Sequence, residues 1–229
     1  MTRFDPESLT IMIDGAHSVS GLLMAPAQAR ACYVFAHGAG AGMSHPFMAT
    51  VAAELVARNI ASLRYQFPYM DRGGRRPDPP ELAQATVRGA VSEAGRRLPG
   101  LPLIAGGKSF GGRMTSQAQA AIPLAGVRGL AFLGFPLHPA KRPSDERAKH
   151  LLDVHIPMLF LQGTRDALAD TELIGRTIKR LGERATLHLI QDADHSFHVP
   201  DRSERTDADV RREMMDVLVA WIAKLISRP

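Results

Sequence analysis

Apolar and polar residues alternate along Leu9-Thr10-Ile11-Met12-Ile13 and along Ser18-Val19-Ser20-Gly21-Leu22-Leu23-Met24. Asp14-Gly15-Ala16-His17 separates the two runs, so the pattern predicts a hairpin at a sheet edge. The pattern then changes. The run 31–36 is apolar on both faces, as a strand buried inside a parallel sheet must be. Further strands are predicted over 60–65, 101–105, 127–133, 158–161 and 185–190. Helical spacing fills the intervals over 46–58, 81–97, 113–121 and 171–181, and a C-terminal helix is predicted over 207–226. The stripe of that last helix reads Val210, Met214, Val217, Trp221 and Leu225, with Trp221 as a core anchor.

The tally is eight strands, of which the last six alternate with helices. That implies an α/β fold with a mostly parallel sheet and helices on both faces. The chain has 229 residues and is 45% hydrophobic, enough for one sizeable core. No internal repeat, low-complexity tract or linker divides it, so one domain over 1–229 is expected. Two loops rich in Pro, Gly and charge, 66–80 and 134–155, should leave the carboxyl edge of the sheet, where open α/β folds place their ligands. The second, roughly 22 residues, is too short for a separate cap domain.

No apolar run is long enough to span a bilayer, and residues 1–7 carry no apolar stretch of the secretory kind. A cytoplasmic protein without a membrane partner is therefore expected. Cys32, the single cysteine, lies in a strand-like run and reads as a small buried residue. The formal net charge is +5, but the basic residues are scattered and only 6% of the chain is aromatic. They read as solvated surface, not a nucleic-acid site.

Candidate chemistry sits at Gly106-Gly107-Lys108-Ser109-Phe110-Gly111-Gly112. It follows an apolar strand and opens a helix, the context of a Gly-x-Ser-x-Gly nucleophile elbow. Gly107-Lys108-Ser109 also matches the end of a phosphate-binding loop. That loop requires glycine five residues before Gly107, and Pro102 stands there. Ser109 is thus the candidate nucleophile.

A serine hydroxyl needs a base, and imidazole has a suitable pKa. Nine histidines are available. His195 follows the last strand in Asp194-His195-Ser196-Phe197 and is preferred to its neighbour His198. His188 reads as structural, and His138, His150 and His155 as surface groups. Asp166, just past the seventh strand, is the candidate orienting carboxylate; Asp170, Asp192 and Asp194 read as cap or turn residues. The oxyanion donors expected are the amides of Phe110 and Ala39, with Gly40 as runner-up in His37-Gly38-Ala39-Gly40. His37 is expected to pin its own loop. Gly38 and Gly40 should approach substrate, and Arg64, Lys108 and Arg113 are candidates for an acidic substrate group. No metal or organic cofactor is called for, since no ligand-spaced Cys/His set occurs.

In chain order, His-Gly-x-Gly, Gly-x-Ser-x-Gly, Gly-x-x-Asp and Asp-His-x-Phe resemble the α/β-hydrolase superfamily along nearly the whole length. Three segments, Arg64-Tyr65-Gln66-Phe67-Pro68-Tyr69, Ser109-Phe110-Gly111-Gly112-Arg113 and Gly134-Phe135-Pro136-Leu137-His138, are similar to small hydrolases of the testis-expressed and KANSL3 type, near the dienelactone hydrolases. The latter use cysteine where this chain has Ser109. The resemblance implies the α/β-hydrolase fold with Ser109, Asp166 and His195 as a triad. The activity it implies is cleavage of an ester, thioester or related acyl bond of a small molecule. Its alternative is a non-catalytic interaction domain that keeps the fold.

Overall fold

A computed structural model of the chain describes residues 5–227. Residues 1–4 of the N-terminal stretch read above for a leader, and 228–229, lie outside the described residues. The strands are β1 (Glu7–Met12), β2 (Ser18–Met24), β3 (Cys32–Ala36), β4 (Ala61–Tyr65), β5 (Leu103–Lys108), β6 (Val127–Leu133), β7 (Met158–Gly163) and β8 (Ala185–Ile190). They form one eight-stranded sheet in the order β1-β2-β4-β3-β5-β6-β7-β8. The predicted edge hairpin is β1–β2, and β2 joins β4 antiparallel. From β4 to β8 every pairing is parallel.

The helices are α1 (Pro46–Val56), α2 (Pro68–Asp71), α3 (Pro80–Arg97), α4 (Phe110–Ala121), α5 (Thr171–Leu181) and α6 (Asp207–Ile226). Successive residues of the central strands feed opposite faces. Cys32, Val34 and Ala36 join a core with residues of α3, α4 and α5, while Tyr33 and Phe35 join a second core with residues of α1 and α6. That explains why these strands read as continuously apolar: both faces are covered. Each fully buried side chain of this kind, such as Phe132 or Leu161, contributes about 1.5–3 kcal/mol.

Three expectations are corrected. The buried stripe of α6 is Val210, Met214, Leu218 and Ile222, joined by Met215. Val217, Trp221 and Leu225 are only half-buried. Trp221 and Leu225 lie over Gly129, where any Cβ would come within 2.7 Å of the indole. β5 runs one residue past the first glycine of Gly-x-Ser-x-Gly, to Lys108, and α4 begins at Phe110, with Ser109 alone between them. The histidines between β6 and β7 are not all surface groups. His138 is buried and bonds the Pro139 carbonyl and the Asp170 amide. His150, on a 3-10 helix over Glu146–Asp153, bonds the Ser116 hydroxyl at 2.8 Å.

The segment between β6 and β7 holds that 3-10 helix and no large cap. Among the described residues, no helix is long and apolar enough to cross a membrane.

Candidate active site

β3 and β5 are neighbours, with Ala36 opposite Gly107. The loop after β3 and the turn after β5 therefore leave the same edge side by side. Ser109 occupies that turn with φ 51° and ψ −116°, a left-handed conformation that a side-chain-bearing residue adopts only under local constraint. Its amide is bonded to the Leu133 carbonyl, and its own carbonyl accepts from Arg113. Gly107 supplies the clearance: a Cβ there would lie 2.5 Å from the Ala36 carbonyl oxygen.

β8 is three strands away from β5, so the segment after it must cross the ends of β7 and β6 to reach Ser109. The crossing is close. The Ala193 carbonyl accepts from the Arg165 amide and presses on Gly163, where a Cβ would fall 2.2 Å from that oxygen. The turn 194–198 is closed by Asp194, whose Oδ1 accepts from the Ser196 and His198 amides.

That turn delivers His195. Its Nε2 lies 2.8 Å from Ser109 Oγ and its Nδ1 2.7 Å from Asp166 Oδ2. Asp166 is 6% exposed and accepts on both oxygens: Oδ1 from the Leu168 amide at 2.8 Å, and Oδ2 also from the Gln162 side-chain amide. With Oδ2 accepting, the neutral imidazole carries its proton on Nδ1, and its Nε2 is free to accept from the serine hydroxyl. The structure thus brings Ser109, His195 and Asp166 together in one hydrogen-bonded chain. His198 instead faces Asp207, and that pairing draws its pKa upward. Asp170 caps α5 through the Glu172 and Leu173 amides, as a cap residue should.

Two amides close to the serine have no hydrogen-bond partner among the described residues: that of Phe110, the next residue in the chain, and that of Ala39, in the wall of the cavity at Ser109. Gly40, the runner-up, is committed, since its N–H donates to the Tyr69 hydroxyl at 2.8 Å. Gly38 packs beside the serine, its missing Cβ being 3.7 Å from Ser109 Cβ. His37 does pin its own loop. Its Nε2 accepts from the Phe67 amide, so Nδ1–H donates to the Gly38 carbonyl; burial lowers its pKa and keeps the ring neutral.

A cavity of about 320 Å³ opens at Ser109. Its wall includes Ala41, Phe47, Met48 and Leu168 beside Gly38, Ala39, Lys108 and His195. Arg64 is not part of that wall. It is 3% exposed and donates to the Met43 carbonyl, bracing the loop after β3 instead of meeting substrate. Gly40 also lies outside the lining.

Gln162 was not foreseen. It is fully buried at the end of β7 and bridges the Phe135 amide to Asp166. Its one sequence signal was a polar side chain directly after the apolar run 158–161. Among the described residues no group of three His, Cys, Asp or Glu is placed to hold a metal.

Comparison with solved structures gives matches over nearly the whole chain. A dienelactone hydrolase from Anabaena variabilis is 20% identical with a TM-score of 0.76, over 96% of this chain and 99% of that one. An α/β serine hydrolase without a lid from Xanthomonas campestris is 20% identical at 0.74, over 100% and 99%. The esterase domain of a Rhodothermus marinus protein is 16% identical at 0.73, over 97% and 99%. These are likenesses of fold. The model of a sequence family described as the alpha/beta hydrolase domain matches residues 29–223. The chain belongs to the α/β-hydrolase family.

Proposed function

We propose that the protein is a serine hydrolase that cleaves an ester, thioester or related acyl bond of a small molecule through an acyl-enzyme. The observation that carries this reading is the unbroken chain from Ser109 Oγ through His195 to Asp166, with heavy-atom separations of 2.8 and 2.7 Å.

Ser109 Oγ attacks the substrate carbonyl carbon as its proton passes to His195 Nε2. The carbonyl electron pair moves onto oxygen, and the N–H groups of Phe110 and Ala39 stabilise the oxyanion. One such donor contributes about 3 kcal/mol in comparable sites. Collapse breaks the bond to the leaving alcohol or thiol, which takes the proton from His195. Water then attacks the Ser109 ester, gives its proton to His195, and releases the acid as the Ser109 hydroxyl is restored. Asp166 stays ionised and steadies the imidazolium.

Ala41, Phe47, Met48 and Leu168 favour an apolar acyl group, and the cavity size favours a small or medium one. Within the family, the segments 64–69, 109–113 and 134–138 support kinship with the testis-expressed and KANSL3-type small hydrolases.

Hydrolysis of p-nitrophenyl esters of increasing acyl length, alongside acyl thioesters, tests the reading. Turnover of short and medium acyl groups should fall about 10³-fold or more in Ser109→Ala. Undiminished turnover in that variant would exclude Ser109 as nucleophile.

A further inference from the structure

Lys108 immediately precedes Ser109, and its two ends have different surroundings. Its Cγ lies beside Gly38, 3.6 Å from where a Cβ would be, and the residue contributes to the cavity wall. The ammonium is held by protein groups. Nζ donates to the backbone carbonyl of His195 at 2.6 Å and sits 5.5 Å from the centre of the Phe197 ring. It is 3.1 Å from the position a Cβ on Gly134 would take. Neither Phe197 nor Gly134 lines the cavity. The ammonium is thus bonded to the backbone of the base-bearing turn, where an acidic substrate group was the partner expected for it.

The turn 194–198 is otherwise held by its own bonds, by Asp207, by the bonds of the His195 ring to Ser109 and Asp166, and by Phe197 stacked on Phe47. Among the described residues, the Lys108–His195 bond is the only one that ties the backbone of this turn to the elbow. The titratable groups around Nζ are Asp166 after β7, and Asp194 and His195 in the turn. Among the described residues, no carboxylate comes within ion-pair distance of Nζ. Burial therefore outweighs the attraction of Asp166 and Asp194 and lowers the lysine pKa to about 8.

We propose that Lys108 is a positioning residue: its charged ammonium holds the His195-bearing turn against the elbow, and loss of the charge releases that turn. A charge-assisted bond to a carbonyl is about twice as strong as a neutral one, and the attraction to the Phe197 ring vanishes with the charge. The sign follows from the lowered pKa. The tether is charged below about 8 and lost as pH rises through that value.

The kinetic arm of the test rests on the hydrolase reading. In the unmodified protein, kcat should fall as pH rises through about 8 while KM stays nearly constant. Lys108→Met should lower kcat at pH 7 by roughly 10–100-fold with KM little changed, and should lose the descending limb. Lys108→Arg, which stays charged, should recover part of kcat and move the limb to higher pH. The second arm needs no substrate: amide hydrogen exchange over 193–199 at pH 7 should be roughly tenfold faster in Lys108→Met. If the protein hydrolyses nothing but the exchange difference is present, the hydrolase reading fails and the tether stands. A Lys108→Met protein with unchanged exchange over 193–199 overturns the tether.

Discussion

Replacing Gln162 by leucine should uncouple two strands from the acid of the site. Gln162 is fully buried; its carbonyl oxygen accepts from the Phe135 amide at 2.9 Å, and its NH₂ donates to Asp166 Oδ2. Leucine fills similar space but offers neither bond. The Phe135 N–H is then left buried without a partner, at about 1–3 kcal/mol. Asp166 keeps its bonds to His195 and Leu168 and loses one charge-assisted bond, about 1.5–3 kcal/mol. Greater apolar burial offsets about 1 kcal/mol. The net expectation is about 1.5–5 kcal/mol of destabilisation, read as a lower urea midpoint at unchanged m value. Because Oδ2 also receives His195 Nδ1–H, kcat should fall roughly tenfold while KM changes little. A variant within about 0.5 kcal/mol of the parent, with unchanged kcat, would refute the idea that Gln162 holds the carboxylate in place.

Burial and the nearby Arg113 push the pKa of His150 down from 6.5 to about 4. The folded state thus binds fewer protons than the unfolded chain between those values, and stability drops on acidification by about 2–3 kcal/mol. Urea midpoints measured from pH 7 to 4 should show this, and His150→Gln should flatten the slope; an unchanged slope in the variant would assign the loss to other groups. Cys32 is fully buried and its thiol is pushed up to about 12, so it should resist a disulfide reagent at pH 8 until the protein is denatured. Rapid labelling of the native protein would contradict the packing described for β3.

The elbow, Asp166 and His195 were legible in the sequence for a common reason. Each sits at the end of an apolar run, and in a parallel sheet all such ends reach one edge. The α6 stripe was misread because residues three and four apart fit more than one face; only the sheet beneath decides that Leu218 and Ile222, not Trp221, are buried. Arg64, Lys108, Gln162 and His150 escaped because their partners are distant in the chain. Arg64 braces Met43, Lys108 meets the turn after β8, Gln162 spans β7 and the end of β6, and His150 bonds α4. A polar residue within an apolar segment marks such a contact but does not name its partner. For Lys108 the sequence places the residue at the site but does not say that its ammonium bonds the His195 carbonyl.

The central claim is that His195 and Asp166 make Ser109 a nucleophile. A fluorophosphonate probe followed by peptide mass spectrometry tests it most directly. The account predicts one adduct per chain, on the peptide carrying Ser109, lost in Ser109→Ala and strongly slowed in His195→Ala. Folded protein that takes up no probe, or an adduct that persists in Ser109→Ala, contradicts it.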